Sequence, residues 1–108
     1  MVRCARVDEK KYSRYFKAFG DQSRLKILEI LSEGEKTVNE IVAAMEISQP
    51  TVSRHLGVLR NAGIVADRRE GQRIYYRLDK AVIFKCCKGL CDCLAVVIRP
   101  TKKEKRKR

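Results

Sequence analysis

The chain has 108 residues, a length that favours one compact domain. Hydrophobic residues make up 44 % and charged residues 35 %, which indicates a folded, soluble domain and argues against disorder. Its 25 lysines and arginines outnumber its 13 aspartates and glutamates, and the net charge of +12 points to a polyanionic partner: DNA, RNA or an acidic membrane.

The positive charge is concentrated in two segments. Residues 99–108 hold seven basic side chains and one acidic one, and residues 49–78 hold six arginines against Asp67 and Glu70. Because residues 99–108 show no apolar periodicity, we expect a disordered basic tail there, either a solubilising end or an arm that binds phosphates. The predicted organisation is therefore a folded domain at 1–98 followed by this tail.

No apolar run approaches the roughly 20 residues that a membrane span needs, and the first residues are charged. We therefore expect a cytoplasmic protein without a membrane partner, in which the five cysteines stay reduced. Four of these cysteines cluster in CCKGLCDC, a pattern that favours ligands or reactive thiols over a disulfide framework.

Two helices are predicted before residue 37. Four aromatic side chains share one side of segment 10–19, which indicates a short amphipathic helix. Asp21 suits the N-cap of the next helix, which is apolar around much of its circumference and so belongs in the centre of the core.

Segment 37–62 predicts two short helices joined by a few residues, a helix-turn-helix. Thr37 and Glu40 fit a capping box at the start of the first helix. Ser48 suits the cap of the second helix, whose first turn tolerates Pro50.

After Gly63 the apolar period changes to that of a strand, and segments 64–68 and 73–78 predict a two-stranded β-wing with a loop at 69–72. Asp79 caps a last, strongly apolar helix at 80–98, for which a second copy of the chain is the simplest cover. The predicted fold class is mainly α (α+β): a winged helix-turn-helix of about five helices.

The second helix of the pair presents a polar face suited to DNA. Glutamine pairs with adenine and arginine with guanine through two hydrogen bonds in the major groove, and arginines at a wing reach the minor groove or the backbone. A polar contact to DNA or to a neighbouring helix is favoured for the single histidine, because no second imidazole or thiol shares its helix face. The predicted DNA-binding residues are Ser48, Gln49, Thr51, Ser53, Arg54, His55, Arg60, Arg68, Arg69 and Arg73.

The segments FKAFGDQSRLKILEIL, TVNEIVAAMEISQPTVSRHLGVLRNAGIV and REGQRIYYRL resemble the ArsR/SmtB family of metal-responsive repressors. The resemblance covers roughly residues 15–78. It implies a homodimer that packs its first and last helices at the interface, and a repressor that leaves its operator when an inducer binds. By the family's pattern, 49–62 is the recognition helix and 68–73 is the wing.

The candidate inducer site is the group of cysteines on the predicted last helix: Cys86, Cys87, Cys91 and Cys93. Cys87 and Cys91, at i and i+4, face the same way on a straight helix. Cys86 and Cys93 lie on a different side of the helix and two turns apart. One unbroken helix therefore supplies a pair. A site of three or four thiols needs a break at Gly89, a cysteine from a partner chain, or Cys4, whose thiolate two flanking arginines favour.

The resemblance leaves the inducer open. Many arsenic-responsive members carry cysteines on the helix before the recognition helix, where this sequence has none, and the zinc-responsive pattern of histidines and carboxylates on the last helix is absent. The cysteine cluster on the predicted last helix instead resembles that of family members with a CC…C cluster near the last helix, which respond to As(III) or related thiophilic species. Because As(III) takes three sulfurs, Cys86 and Cys87 with Cys91 or Cys93 would suffice. No obligatory cofactor is predicted.

Other interpretations stay open. The cysteines could also be small core side chains at a dimer interface or thiol redox sensors, or the inducer could be a non-metal molecule that does not bind them. An RNA- or protein-binding winged helix and a thiol-based metal buffer are further classes. An enzyme is not expected, because the sequence has no candidate triad, phosphate loop or supported carboxylate pair.

Overall fold

A computed structural model describes residues 9–97 of the chain. In chain order its elements are α1 (Glu9–Phe19), α2 (Gln22–Leu31), β1 (Lys36–Thr37), α3 (Val38–Met45), α4 (Gln49–Asn61), β2 (Val65–Glu70), β3 (Arg73–Leu78) and α5 (Lys80–Val97). The predicted winged helix-turn-helix is confirmed, with α3 and α4 as the helix pair and the β2–β3 hairpin as the wing. Cys4, the side chain of Cys93 and the predicted tail lie outside the described part.

Four of the helices begin at the polar side chains that the sequence predicts as caps. Asp21, Thr37, Ser48 and Asp79 each accept a hydrogen bond from the backbone amide three residues further on, at 3.1–3.3 Å. Glu40 completes the capping box by accepting from the amide of Thr37 at 2.8 Å. These contacts satisfy amides that have no partner inside the helix, and they determine where each helix begins.

The sheet differs from the prediction in two details. It has three antiparallel strands in the order β1-β3-β2, and β1, which has only two residues, is too short to give an alternating pattern in the sequence. The predicted strand at 64–68 is also wrong at both ends. β2 starts at Val65 and pairs with β3 as far as Glu70, which leaves Gly71 and Gln72 as the turn. Gly71 has a φ of 65°, as two-residue hairpin turns of the favoured types require.

The core lies between α2, α3, α4 and the start of the wing. Ile41 of α3 and the apolar stripe of α4, which consists of Val52, Leu56 and Leu59, point into it, and these four side chains are at most 1 % exposed. Because α4 buries this stripe, its opposite face, which carries the polar side chains, is held at the surface.

The last helix, α5, packs against α1 and runs unbroken through Gly89. The break considered at Gly89 is therefore wrong. A Cβ added at this glycine would overlap the hydroxyl and ring of Tyr12, so the missing side chain is what lets α1 and α5 approach. Large apolar side chains stay exposed on these two helices, with Phe84 at 68 % and Phe16 at 48 %. No helix within residues 9–97 combines the length and apolarity needed to cross a membrane.

Candidate nucleic-acid interface and cysteine helix

The turn between α3 and α4 sets the angle of the second helix. α3 ends at Glu46, which adopts the left-handed conformation with a φ of 60° and whose amide still donates to the carbonyl of Val42. Two residues later Ser48 caps α4, and Pro50 lies in the first turn. The N-terminus of α4 is thereby fixed beside α3, with its first side chains at the surface.

Three side chains of the predicted DNA-binding face are exposed in the N-terminal half of α4. Gln49, Ser53 and Arg54 are exposed, while Val52 between them is buried. Within residues 9–97, no acidic side chain forms an ion pair with Arg54. These three residues are available for base or phosphate contacts at the N-terminal half of α4.

The hydroxyls of Ser48 and Thr51 already have intramolecular partners. The two oxygens lie 2.8 Å apart, and Ser48 Oγ also accepts from the amide of Thr51 at 3.3 Å. Thr51 is half-buried. Both residues therefore serve the cap of α4 first, and only Ser48 is exposed enough to offer a second contact.

The only histidine, His55, is half-buried and faces α2. Its Nδ1 lies 3.2 Å from a guanidinium nitrogen of Arg24, and the same guanidinium donates to the carbonyls of Lys17 and Ala18 at the end of α1. The predicted contact to a neighbouring helix is therefore present, and the contact of His55 to DNA stays a prediction. Arg24 was not predicted as a functional residue, because it is 31 residues away in sequence and only the fold brings it to the histidine.

Arg68 on the wing is held by two carboxylates. It donates to both oxygens of Glu35 at 2.8 and 2.9 Å and to Glu70 at 2.7 Å, and its guanidinium lies 4.6 Å from the centre of the Tyr75 ring. The hydrogen bonds from Arg68 lower the pKa of Glu35 below its usual value. We define these residues, Glu35, Arg68, Glu70 and Tyr75, as the wing clamp. The sequence predicted Arg68 as a DNA contact and did not identify Glu35.

Arg60, at the end of α4, lies 3.5 Å from the carboxylate of Asp67 on β2. This is a long, partly exposed ion pair of the kind that contributes little to stability. It links the end of the recognition helix to the wing, and it leaves Arg60 55 % exposed.

Arg69 and Arg73 flank the tip of the wing and are both exposed. In the described part of the chain neither forms an ion pair. Arg73 also lines a mixed polar and apolar cleft of about 440 Å³ between the wing and the N-termini of α3 and α4, together with Gln49 and Gln72. The cleft places a wing arginine and a helix glutamine on the same side of the domain.

The cysteines of α5 face in different directions. Cys86 is 3 % exposed and contacts the phenol of Tyr15 on α1, whereas Cys87 and Cys91 are exposed. Burial raises the pKa of the Cys86 thiol, although the hydrogen bond with Tyr15 opposes this. Burial and the neighbouring Cys86 raise the pKa of Tyr15 as well. Cys86 therefore lies within the α1–α5 contact, where burial disfavours the thiolate that a metal site needs.

The three cysteine side chains that the structure describes do not come together in a compact three-thiol site. Among the described residues, no group of three histidine, cysteine, aspartate or glutamate side chains is arranged to hold an ion. The predicted pair at i and i+4, Cys87 and Cys91, is presented on one side of α5, and Cys86 points away from it into α1. Beside Cys86, aromatic rings of α1 and side chains of α5 line an apolar cleft of about 170 Å³.

Comparisons with known proteins agree with this architecture. The model of the family described as "Bacterial regulatory protein, arsR family" matches residues 21–67. An arsenic resistance transcriptional regulator of Pseudomonas putida is 52 % identical over 81 residues, covering 71 % of this chain and 63 % of that protein, less than two thirds of its length. The transcriptional repressor SdpR of Bacillus subtilis is 43 % identical over 68 residues, covering 63 % of this chain and 76 % of that protein.

A solved structure described as a possible transcriptional regulator for arsenical resistance superimposes with a TM-score of 0.67 and 32 % identity, covering 74 % of this chain and 82 % of that one. The matched residues 21–67 contain α2, the helix-turn-helix and the first part of the wing, and the solved structure extends the likeness over most of the fold. The chain belongs to the ArsR family of helix-turn-helix transcriptional regulators, which are not enzymes.

Proposed function

We propose that this protein is a homodimeric repressor that binds duplex operator DNA and leaves it when a thiophilic ion, As(III) foremost, binds cysteines of α5. Membership of the ArsR family supports DNA binding and regulation. The observation that carries the choice of inducer is the pair of exposed thiols, Cys87 and Cys91, one turn apart on α5. The arsenic resistance regulator among the relatives supports the same choice.

The exposed face of α4 is the proposed reader of the operator. Gln49, Ser53 and Arg54 occupy the N-terminal half of the helix, which is the half that reaches base edges when a recognition helix enters the major groove. An arginine or glutamine paired to a base through two hydrogen bonds contributes about 1–3 kcal/mol of discrimination. Replacing Gln49 or Arg54 is therefore expected to relax sequence preference at one position of each half-site.

The wing is proposed to hold the DNA backbone. Arg69 and Arg73 at its tip have no acidic partner in the described part, so they bind phosphates without first breaking an ion pair. Arg68 has a different role in this proposal. Its three short hydrogen bonds to carboxylates position the hairpin, and the guanidinium does not contact DNA.

A second copy of the chain is the proposed cover of the α1–α5 side. Phe84, Phe16 and Leu94 are about half exposed or more on these two helices, which is a large apolar surface for so small a domain. A two-fold dimer presents two copies of α4, and their separation selects half-sites about one helical turn of DNA apart.

The described thiols fit As(III) only in part. Soft sulfur ligands select thiophilic ions, and two thiols already one turn apart reduce the cost of closing a site. Cys87 and Cys91 supply two of the three sulfurs that As(III) takes. The third sulfur is proposed to come from Cys4, Cys93 or the partner subunit, because Cys86 is turned into α1.

Release is proposed to act through the seam between subunits. When thiols from two segments or two chains converge, α5 changes its position relative to α1, and the two recognition helices no longer fit successive grooves together. Coupling between sites of this kind usually amounts to about 1–3 kcal/mol, or five- to 150-fold in affinity.

The test measures operator affinity by fluorescence anisotropy, with a palindromic duplex selected from a random pool and a random duplex as the reference. Arsenite is expected to weaken operator binding by wild type, and Cys87→Ser with Cys91→Ser is expected to keep the affinity and abolish the release. Zn(II) and a mild oxidant serve as comparison effectors under anaerobic handling. Release by arsenite from a protein in which all five cysteines are serine would refute the cysteine site.

Thiol oxidation is the second candidate, because the exposure that admits an ion to Cys87 and Cys91 also admits an oxidant. It predicts release by the oxidant that is reversed by dithiothreitol and independent of arsenite. A response to the oxidant alone favours this candidate, and a response to arsenite without oxidant favours the first.

A further inference from the structure

One side chain of α2 joins the end of α1 to the recognition helix. Arg24 Nε donates to the carbonyl of Ala18 at 3.0 Å, and one terminal nitrogen donates to the carbonyl of Lys17 at 2.9 Å. The other terminal nitrogen lies 3.2 Å from Nδ1 of His55 on α4. The positive guanidinium thus caps the negative end of the α1 dipole while it contacts α4.

The contact defines the proton position on His55. A guanidinium only donates hydrogen bonds, so this 3.2 Å contact requires Nδ1 to accept, which leaves Nε2 to carry the ring proton. Asp21, the cap of α2, lies near both Arg24 and His55. The ring is therefore oriented by groups from α2, and Nε2–H is its remaining donor.

We propose that Arg24 is a positioning residue for DNA binding that acts through His55, fixing α4 to the end of α1 and directing Nε2–H of His55 towards the DNA backbone. The proposal rests on DNA binding by α4 and is independent of the inducer. Its geometry gives α1, which also carries the Tyr15 contact to Cys86, a direct connection to the recognition helix.

The first test uses the imidazole itself. His55 is the only histidine, so an untagged, ¹⁵N-labelled protein gives one pair of ring nitrogen signals. The expected signals are those of the Nε2–H tautomer in wild type, with a mixture of tautomers in Arg24→Gln. A wild-type ring protonated at Nδ1, or a tautomer unchanged by Arg24→Gln, would overturn the contact without any reference to operator binding.

The second test measures operator affinity over a range of salt, at a temperature where circular dichroism finds each variant folded. Arg24→Gln and His55→Leu are each expected to weaken operator binding about five- to tenfold, and the double variant no more than either single one. His55→Asn keeps an acceptor near the Nδ1 position and is expected to retain most of the affinity. Lys26→Gln, which removes a charge from the same helix without touching His55, is the matched control.

Salt dependence separates positioning from direct contact. A residue that binds a phosphate reduces the slope of log affinity against log salt by about one when it is removed. Arg24→Gln is expected to leave the slope unchanged. A slope reduced by one, additive losses in the double variant, or affinity within twofold of wild type in folded Arg24→Gln would each refute the proposal. If Arg24→Gln does not fold, the operator affinity of His55→Leu compared with that of His55→Asn decides the question.

Discussion

Replacing Gly89 by alanine is predicted to destabilise the protein, although alanine is the better helix former. In an open helix interior the change stabilises by about 1 kcal/mol. Here the new Cβ overlaps the hydroxyl and ring of Tyr12, so the ring has to leave its place between α1 and α5. Overpacking costs about 1–3 kcal/mol.

The displaced ring also loses its edge-on contact with Tyr15, whose ring centre is 5.4 Å away at an interplanar angle of 73°. Such aromatic pairs contribute about 0.5–1.5 kcal/mol beyond area burial. Subtracting the gain in helix propensity leaves a net loss of about 2 kcal/mol for Gly89→Ala.

Urea unfolding at fixed protein concentration, followed by circular dichroism, measures this loss, and the chain contains its own control. Gly57 lies inside α4 with no atom within 4 Å of an added Cβ, so Gly57→Ala is expected to stabilise by about 1 kcal/mol. In a Tyr12→Ala background, Gly89→Ala is expected to become stabilising too. An increase in stability for Gly89→Ala in the otherwise wild-type chain would contradict the α1–α5 packing described here.

Three further predictions follow from the caps, the wing clamp and the cysteine helix. Ser48→Ala is expected to destabilise by about 1 kcal/mol in thermal unfolding, whereas Ser48→Asp keeps the cap but weakens operator binding by placing a negative charge beside the phosphates. Because Arg68 lowers the pKa of Glu35, the clamp is present above the ordinary glutamate pKa and is lost only as pH falls through the lowered one; an NMR titration is expected to find a higher Glu35 pKa in Arg68→Gln. Maleimide is expected to modify Cys87 before Cys86, since burial raises the pKa of Cys86, and equal rates at neutral pH would count against its burial.

The sequence was sufficient for features that depend on neighbouring residues. Each cap joins a side chain to an amide three positions away, so Asp21, Ser48 and Asp79 could be identified from spacing alone. The apolar residues of α4, Val52, Leu56 and Leu59, likewise recur at the helical period, and all three are buried.

Contacts between distant segments could not be predicted in this way. Arg68 and Glu35 are 33 residues apart, and an arginine on a hairpin has the same sequence pattern whether it faces a phosphate or a carboxylate. Arg24 and His55 are 31 residues apart and meet only because α1, α2 and α4 pack together. The strand β1 was missed for a related reason, since its two residues become a strand only when Tyr75 and Tyr76 pair with them.

The directions of the cysteine side chains on α5 distinguish the proposed inducer site from the proposed DNA-binding face. Successive residues on a helix point about 100° apart, and Cys86 is buried against α1 while Cys87 is exposed on another side of α5. Cys86 contacts Tyr15, and the exposed pair, Cys87 and Cys91, supplies only two of the three sulfurs that As(III) takes. The polar face of α4 and the wing lies within one chain, whereas the proposed thiol site needs a third sulfur from Cys4, Cys93 or the partner subunit. If that sulfur comes from Cys4 or the partner subunit, binding the inducer changes how α5 packs against its neighbours, which is the physical reason to expect an effect on DNA binding.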